Sequence, residues 1–202
     1  AALKKITIPA DKIGPAFDNT TIGANAFTGC IALDSVAIQG NLGAGAIDAN
    51  AFAKVGTTEP GANHIKHLVF NGNLTGASAI ADGTFDESKA TLLDILFEGD
   101  ITVDGAIAAS AFEATTGAYS ALNKVIFDGD ITAAGIGSTA FKGATKLATL
   151  TFNGDLTAAD AIGENSFMGI GTAANPVNII FNGDITVAGA IHGTATTKGA
   201  FY

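Results

Sequence analysis

The sequence contains no arginine or tryptophan, one cysteine and two tyrosines among its 202 residues. Its 19 acidic residues outnumber its 10 lysines, so it lacks the guanidinium groups and the positive surface with which proteins bind nucleic acids or anionic lipids. The absence of any apolar run of about 18 residues argues against membrane insertion. Cys30 has no partner for an internal disulfide or a multi-cysteine metal site, and we expect a small buried apolar residue there.

Catalytic signatures are missing as well. The sequence has no nucleophile elbow, no His-Glu zinc motif and no phosphate-binding glycine loop. Because tryptophan is absent and tyrosine scarce, there are few aromatic platforms on which sugars stack. We therefore expect no enzyme activity, no cofactor and no carbohydrate site.

Internal repetition is the strongest feature of the sequence. A first block of the form Leu-x-x-Ile-x-Phe recurs, with other aliphatic residues substituting, and its last residue is Ile8, Ile38, Phe70, Phe97, Phe127, Phe152 and Phe181. From the second copy on, Gly followed by Asp or Asn comes next, and these residues are Asn41, Asn73, Asp100, Asp130, Asp155 and Asp184. A Leu or Ile and usually a Thr follow each pair.

A third block, Ile-x4-Phe, completes each repeat. Its pairs are Ile22/Phe27, Ile47/Phe52, Ile80/Phe85, Ile107/Phe112, Ile136/Phe141 and Ile162/Phe167, and the final pair, Ile191/Phe201, is stretched. Corresponding positions recur every 25–33 residues, a unit too small to bury its own apolar side chains. Stacked coils turn each position into a buried column. We therefore predict a β-rich solenoid of about seven repeats that spans residues 1–202 as a single domain.

Each block predicts one part of the coil. The first block alternates as a short strand does, and the Gly-Asp step predicts a tight turn in which glycine adopts a positive φ. The third block predicts a single helical or 3₁₀ turn. Two repeats are predicted to place their apolar residues in one core, namely Ile95, Phe97, Ile101, Ile107 and Phe112, and Val125, Phe127, Ile131, Ile136 and Phe141.

Polar columns are the candidate sites. In a stacked coil, Asp100, Asp130, Asp155 and Asp184 would lie about 4.8 Å apart and are weak candidates for a Ca²⁺ site. Asn replaces Asp elsewhere in the column. This interchange favours side-chain bonds to backbone N–H groups over a requirement for charge, and we therefore expect no bound metal.

A second column predicts an exposed ladder of threonines, and the preference of threonine for strands explains it. Its members are Thr75, Thr102, Thr132, Thr157 and Thr186. His64 and His67 are interpreted as surface loop residues.

The opening of the chain carries a family resemblance. Leu3-Lys4-Lys5-Ile6-Thr7-Ile8-Pro9, followed by Ile22-Gly23-Ala24-Asn25-Ala26-Phe27-Thr28-Gly29-Cys30, resembles the BspA-like leucine-rich repeat of bacterial and protist surface proteins. The resemblance implies a right-handed leucine-rich-repeat-type coil, an extracellular or cell-surface location, protein or surface binding, and no catalysis. Later copies depart from the family pattern, because Phe-x-Gly-Asp replaces the Ile-Pro turn.

Two functions are open at this point. The first is a structural protein that polymerises, because only 14% of residues are charged and neither end of the sequence has an obvious polar cap. The sequence also ends on a third block and begins with the lead into a first block. The first coil of one molecule could therefore continue the repeat after the last coil of another. The predicted self-association residues are Leu3, Ile6, Ile8, Ile191, Phe201 and Tyr202. The alternative is an adhesin or binding module that recognises a partner protein on one solenoid face.

Overall fold

The computed structural model describes residues 3–9, 22–27, 30, 32–49, 51–52, 65–84, 92–113, 121–192 and 200–201. Within these residues the regular elements are seven strands of four residues each. They are β1 (Lys5–Ile8), β2 (Ser35–Ile38), β3 (His67–Phe70), β4 (Asp94–Phe97), β5 (Lys124–Phe127), β6 (Thr149–Phe152) and β7 (Asn178–Phe181). Every strand coincides with a first block, as predicted.

The strands form one parallel sheet in the order β1 to β7, so each strand pairs with its neighbours in the sequence. The register is set by the repeat: Ile95 lies opposite Val125, and Phe97 opposite Phe127. A parallel strand one repeat later requires the chain to make one full turn between strands. The sequence therefore folds as the predicted solenoid, with one strand per coil.

Two further ladders run along the other sides of each coil. One consists of single parallel bridges from Leu42 through Leu74, Ile101, Ile131 and Leu156 to Ile185. The other runs from Ile22 through Ile47, Ile80, Ile107, Ile136 and Ile162 to Ile191. Backbone bonds such as Ile101 N–H to Asp130 O (N···O 2.8 Å) and Ile107 N–H to Gly135 O (3.0 Å) join successive coils at these bridges. The coil is thus hydrogen-bonded to its neighbours on three sides.

The side chains that point inward form one core. Ile95, Phe97, Ile101 and Ile107 are at most 1% exposed and Phe112 is 3% exposed, and the equivalent residues of the next repeat are at most 1% exposed. First-block phenylalanines stack on one another, with the rings of Phe97 and Phe127 4.8 Å apart and 3° from parallel. The predicted columns are confirmed. Phe85 lies outside the described residues.

The third block differs from the predicted helical or 3₁₀ turn, since the described residues contain no helix. It folds instead as a β-turn in which Ala111 N–H bonds to Ala108 O at 3.3 Å, with Ser110 in the left-handed region. The same left-handed position recurs at Asn25 (φ 63°), Gly83 (66°), Thr139 (60°) and Asn165 (54°). The residue with positive φ prevents the turn from continuing as a right-handed helix.

The glycines of the Gly-Asp step also differ from prediction, because none of them has a positive φ. A Cβ atom on Gly129 would instead lie closer than 3.0 Å to the backbone of Gly99 in the preceding coil. Gly72, Gly99, Gly154 and Gly183 meet the same obstacle. Glycine is required at this step because neighbouring coils approach backbone to backbone.

The three ladders also determine the shape of the stack. Hydrogen-bonded parallel backbones are about 4.8 Å apart. In a solenoid with a helix on one side of each coil, the helices need about 10 Å each, so the stack curves away from them. Here the Phe97–Phe127 spacing on the strand side is 4.8 Å and the Phe112–Phe141 spacing in the third-block column is 5.0 Å. Successive coils are therefore nearly parallel, because they are about equally far apart on the strand side and on the third-block side.

Candidate functional site

The Asp/Asn column forms a hydrogen-bonded ladder between coils. The Oδ1 atom of each member except Asp184 accepts the backbone N–H of the corresponding residue in the next coil. The bonds run from Asn73 N to Asn41, from Asp100 N to Asn73, from Asp130 N to Asp100, from Asp155 N to Asp130 and from Asp184 N to Asp155, at 2.8–3.0 Å. This is the predicted side-chain-to-backbone bond, but it crosses to the next coil instead of closing a local turn. An amide oxygen serves as well as a carboxylate, which explains why Asn and Asp interchange.

The four aspartates proposed as weak Ca²⁺ candidates are Asp100, Asp130, Asp155 and Asp184. In the part of the chain that the structure describes, no group of three or more His, Cys, Asp or Glu side chains is arranged to hold a metal ion. The Oδ1 atoms of Asp100, Asp130 and Asp155 each already accept an N–H bond.

The threonine column is exposed at all five positions, as predicted. The hydroxyl of Thr102 donates to the Leu74 carbonyl at 3.3 Å, and that of Thr132 donates to the Ile101 carbonyl at 3.4 Å. The threonines therefore contribute contacts between coils.

His67 is not a loop residue as interpreted from the sequence, because it is the first residue of β3. Its Nδ1 pairs with the carboxylate of Asp94 on β4, across the outer face of the sheet. His64 lies outside the described residues. Cys30 is half-buried and packs against the core, which agrees with a structural thiol.

The last described coil exposes the apolar columns that every interior coil buries. Ile179 is 36% exposed and Ile185 48% exposed, whereas their equivalents Ile95 and Ile101 are each 1% exposed. Among the described strands, β7 pairs only with β6, so no described strand covers the N–H and C=O groups of its other edge. These two isoleucines were missing from the sequence prediction.

The predicted self-association residues lie at the two ends of the stack. Leu3 is 46% exposed, and Ile6 and Ile8 are half-buried next to the free edge of β1. Ile191 and Phe201 are partly buried against the core, and the ring of Phe201 stacks on Phe167 at 5.5 Å. Tyr202 lies outside the described residues. The N-terminal residues are thus accessible, while the exposed C-terminal surface centres on Ile179 and Ile185.

The outer face of the sheet has a half-buried apolar stripe along its middle. The stripe consists of Val69, Leu96 and Ile126, which alternate with the buried residues of β3 to β5. They line a shallow depression of about 290 Å³, together with His67, Asp94 and Lys124 at the strand starts. At the same outward position, Ala37 on β2 and Ile180 on β7 are also half-buried, while Thr151 on β6 is buried.

The family comparison agrees with this geometry. Residues 2–115 and 105–188 match the family described as BspA type leucine-rich repeat region, with six copies of the repeat. Comparison with curated proteins and with solved structures yields no match. In the described residues there is no helix with the length and apolarity needed to span a bilayer.

The family match covers most of the chain, and the repeat it describes is the coil seen in the structure. Repeats of this type occur in proteins that are generally surface-associated. Leucine-rich solenoids are typically structural or binding modules without enzyme activity. The chain belongs to the BspA-type leucine-rich repeat family.

Proposed function

We propose that this chain is a structural protein of the cell surface that associates head to tail with copies of itself. The observation that carries the proposal is the exposure of Ile179 and Ile185 on the last coil. Each would lose nearly all of that exposure if one more coil of the same kind were stacked on it, as happens to Ile95 and Ile101 inside the array.

The first strand of the chain supports this arrangement. Among the described strands, β1 pairs only with β2 and β7 only with β6, and the two strands run parallel to each other. Ile6 and Ile8 occupy the first-block positions that face a neighbouring coil, and Leu3 adds a side chain that is 46% exposed. Docking β1 beside β7 would pair both free strand edges and extend the buried columns.

The contact joins two different surfaces, so it is heterologous. A heterologous contact closes into a ring or continues as an open filament, according to the rotation it imposes. Because successive coils are nearly parallel, continued stacking along the solenoid axis favours a filament. A surface layer would follow from filaments that lie side by side.

Light scattering and sedimentation velocity at micromolar concentration test this proposal on the wild-type chain and on Ile185→Lys. We expect the wild type to form polymers and the variant to be largely monomeric, because the lysine would have to be buried against the next copy. Thr186→Lys is the matched control, since it places the same charge on the same coil at an exposed polar position. A monomeric wild type would contradict the proposal, as would equal loss of assembly in both variants.

The alternative function, recognition of a foreign protein on one solenoid face, predicts a monomer whose ends do not interact. It therefore predicts the same sedimentation coefficient for the wild type, Ile185→Lys and Thr186→Lys. The experiment distinguishes the two functions without knowledge of the partner.

A further inference from the structure

The residue after each strand donates a hydrogen bond to the preceding coil. Its backbone N–H bonds to the carbonyl of the last strand residue one coil earlier, with N···O distances of 2.7–2.9 Å at each step from β1 to β7. This bond therefore closes the strand end of every joint between the described strands. The donors are Gln39, Asn71, Glu98, Asp128, Asn153 and Asn182.

The first coil has a proline at this position. Pro9 follows β1 directly and is exposed, and no described strand lies on the outer edge of β1. Proline has no N–H to donate, and a ring carbon occupies the place of the hydrogen. When another copy's first coil is stacked on β7, the carbonyl of Phe181 takes the place of the acceptor. That carbonyl would be covered by the second copy without receiving a donor.

The third-block side of the joint has no such exception. Inside the chain, Gly137 N–H donates to Ile107 O at 2.9 Å, and the same bond recurs between the other described coils. Gly23 N–H and Ile191 O occupy these two positions in the first and last coils, and neither has a partner among the described residues. Two stacked copies would therefore form this bond as neighbouring coils do, while they lose the bond at Pro9.

Lysines border the same edge of the first coil. Lys4 and Lys5 are exposed and form no ion pair among the described residues. Strand β7, with the sequence NIIF, contains neither lysine nor proline. Lysine and proline are residues with which natural proteins protect an edge strand from pairing. The features that restrain pairing therefore lie on the first strand and not on the last.

We propose that Pro9 makes the joint between copies weaker than the joints between coils inside a copy, and so keeps head-to-tail stacking reversible. This inference rests on the proposed function, because Pro9 would meet β7 only in a stacked pair. Covering an unpaired carbonyl opposes docking, while the burial of Ile179 and Ile185 drives it. A polymer held in this way separates into whole copies on dilution, because its weakest contacts lie between copies.

Heterodimers of two end-blocked variants measure the strength of one joint. Chains with Ile6→Lys supply a free last coil, and chains with Ile185→Lys supply a free first coil. Sedimentation velocity gives the dissociation constant of this pair, with Pro9 or with Pro9→Gln in the Ile185→Lys chain. Glutamine stands at this position in the second coil, where Gln39 N–H donates to Ile8 O at 2.9 Å. We expect Pro9→Gln to lower the dissociation constant about fivefold or more, because it supplies the missing donor.

Two controls separate the donor from other effects of the substitution. Pro9→Ala also restores an N–H but has no side-chain amide, so it should strengthen the pair to a similar degree. Pro9→Gln placed in the Ile6→Lys chain, whose first coil is blocked, lies outside the joint. That change should leave the dissociation constant unaltered.

The outcomes distinguish the role of Pro9 from head-to-tail stacking itself. If the parent pair forms and Pro9→Gln in the free first coil leaves its dissociation constant unchanged or raises it, the role of Pro9 is overturned and stacking stands. An equal gain from Pro9→Gln in the blocked first coil would overturn that role as well. If the pair fails to form with either proline or glutamine at this position, head-to-tail stacking is contradicted.

Discussion

At several positions of this protein, the short distance between successive coils determines which residue is tolerated. Gly129 illustrates this, because its missing side chain leaves room for the backbone of Gly99. Asp130, one residue later, uses its side chain to bind the backbone N–H of Asp155 at 2.8 Å. The Gly-Asp step is therefore a contact between coils.

Gly129→Ala tests the close approach. The added methyl group would lie closer than 3.0 Å to backbone atoms of Gly99, so the coils must separate. We expect the free energy of unfolding to fall by about 1–3 kcal/mol, measured by denaturant melts. Gly43→Ala is the control: its Cβ would meet nothing within 4 Å and should change stability by less than about 0.5 kcal/mol. Equal effects at both sites would refute the packing explanation.

The hydrogen-bond ladder is tested by comparing two substitutions of Asp130. Asp130→Ala removes the acceptor for Asp155 N–H and should cost about 1 kcal/mol. Asp130→Asn keeps an oxygen acceptor and should cost less than about 0.5 kcal/mol, as Asn73 shows by accepting Asp100 N–H at 2.9 Å. If the asparagine variant is as unstable as the alanine variant, the column needs charge, not just an acceptor.

A chelator provides the matching test of the metal hypothesis. The Oδ1 atoms of Asp100, Asp130 and Asp155 are engaged by backbone N–H groups, so folding should not depend on Ca²⁺. We expect the melting temperature to be the same with and without EDTA. A substantial drop with EDTA that added Ca²⁺ reverses would establish the aspartate column as a metal site.

At the scale of elements, the strand and turn columns determine how each coil packs. Phe127 stacks on Phe97 and Phe152, with ring centroids 4.8 and 5.0 Å away, and meets Phe141 edge to face at 6.2 Å. It therefore joins the strand column to the third-block column. Removing it affects three coils at once.

Phe127→Ala should lower the free energy of unfolding by about 3–5 kcal/mol, because it leaves a cavity between coils that their backbone hydrogen bonds keep from collapsing. Ile126→Ala on the same strand removes a half-buried outward side chain and should cost less than about 1.5 kcal/mol. Denaturant melts of both variants make the comparison. A loss below about 1 kcal/mol for Phe127→Ala would contradict the packing described above.

The elements show which parts of the fold follow from sequence. Strand positions and buried columns were predictable, because apolar periodicity and repeat length are properties of the sequence itself. The left-handed turns were missed, although Asn25 and Asn165 are of a residue type that tolerates positive φ. The role of Gly129 was misassigned, because close approach between coils depends on coordinates and glycine equally permits a positive φ.

At the scale of the whole molecule, the exposure of an apolar residue depends on whether another coil is stacked on its own coil. Ile185 occurs in the same motif as Ile101, yet one is 48% exposed and the other 1%. No local pattern distinguishes them, because the difference is the presence of a neighbouring coil. The sequence therefore predicted which columns are apolar but not that Ile179 and Ile185 are exposed.

Head-to-tail assembly is tested most directly by mixing two variants with opposite blocked ends. Ile6→Lys blocks the first coil and Ile185→Lys blocks the last coil, so each variant alone should sediment far more slowly than wild type. An equimolar mixture can still join the free last coil of one variant to the free first coil of the other. We predict that sedimentation velocity at low micromolar concentration, with Thr186→Lys as a control that assembles like wild type, shows new heterodimers in the mixture and no long polymers. A mixture that sediments like the separate variants would contradict head-to-tail stacking.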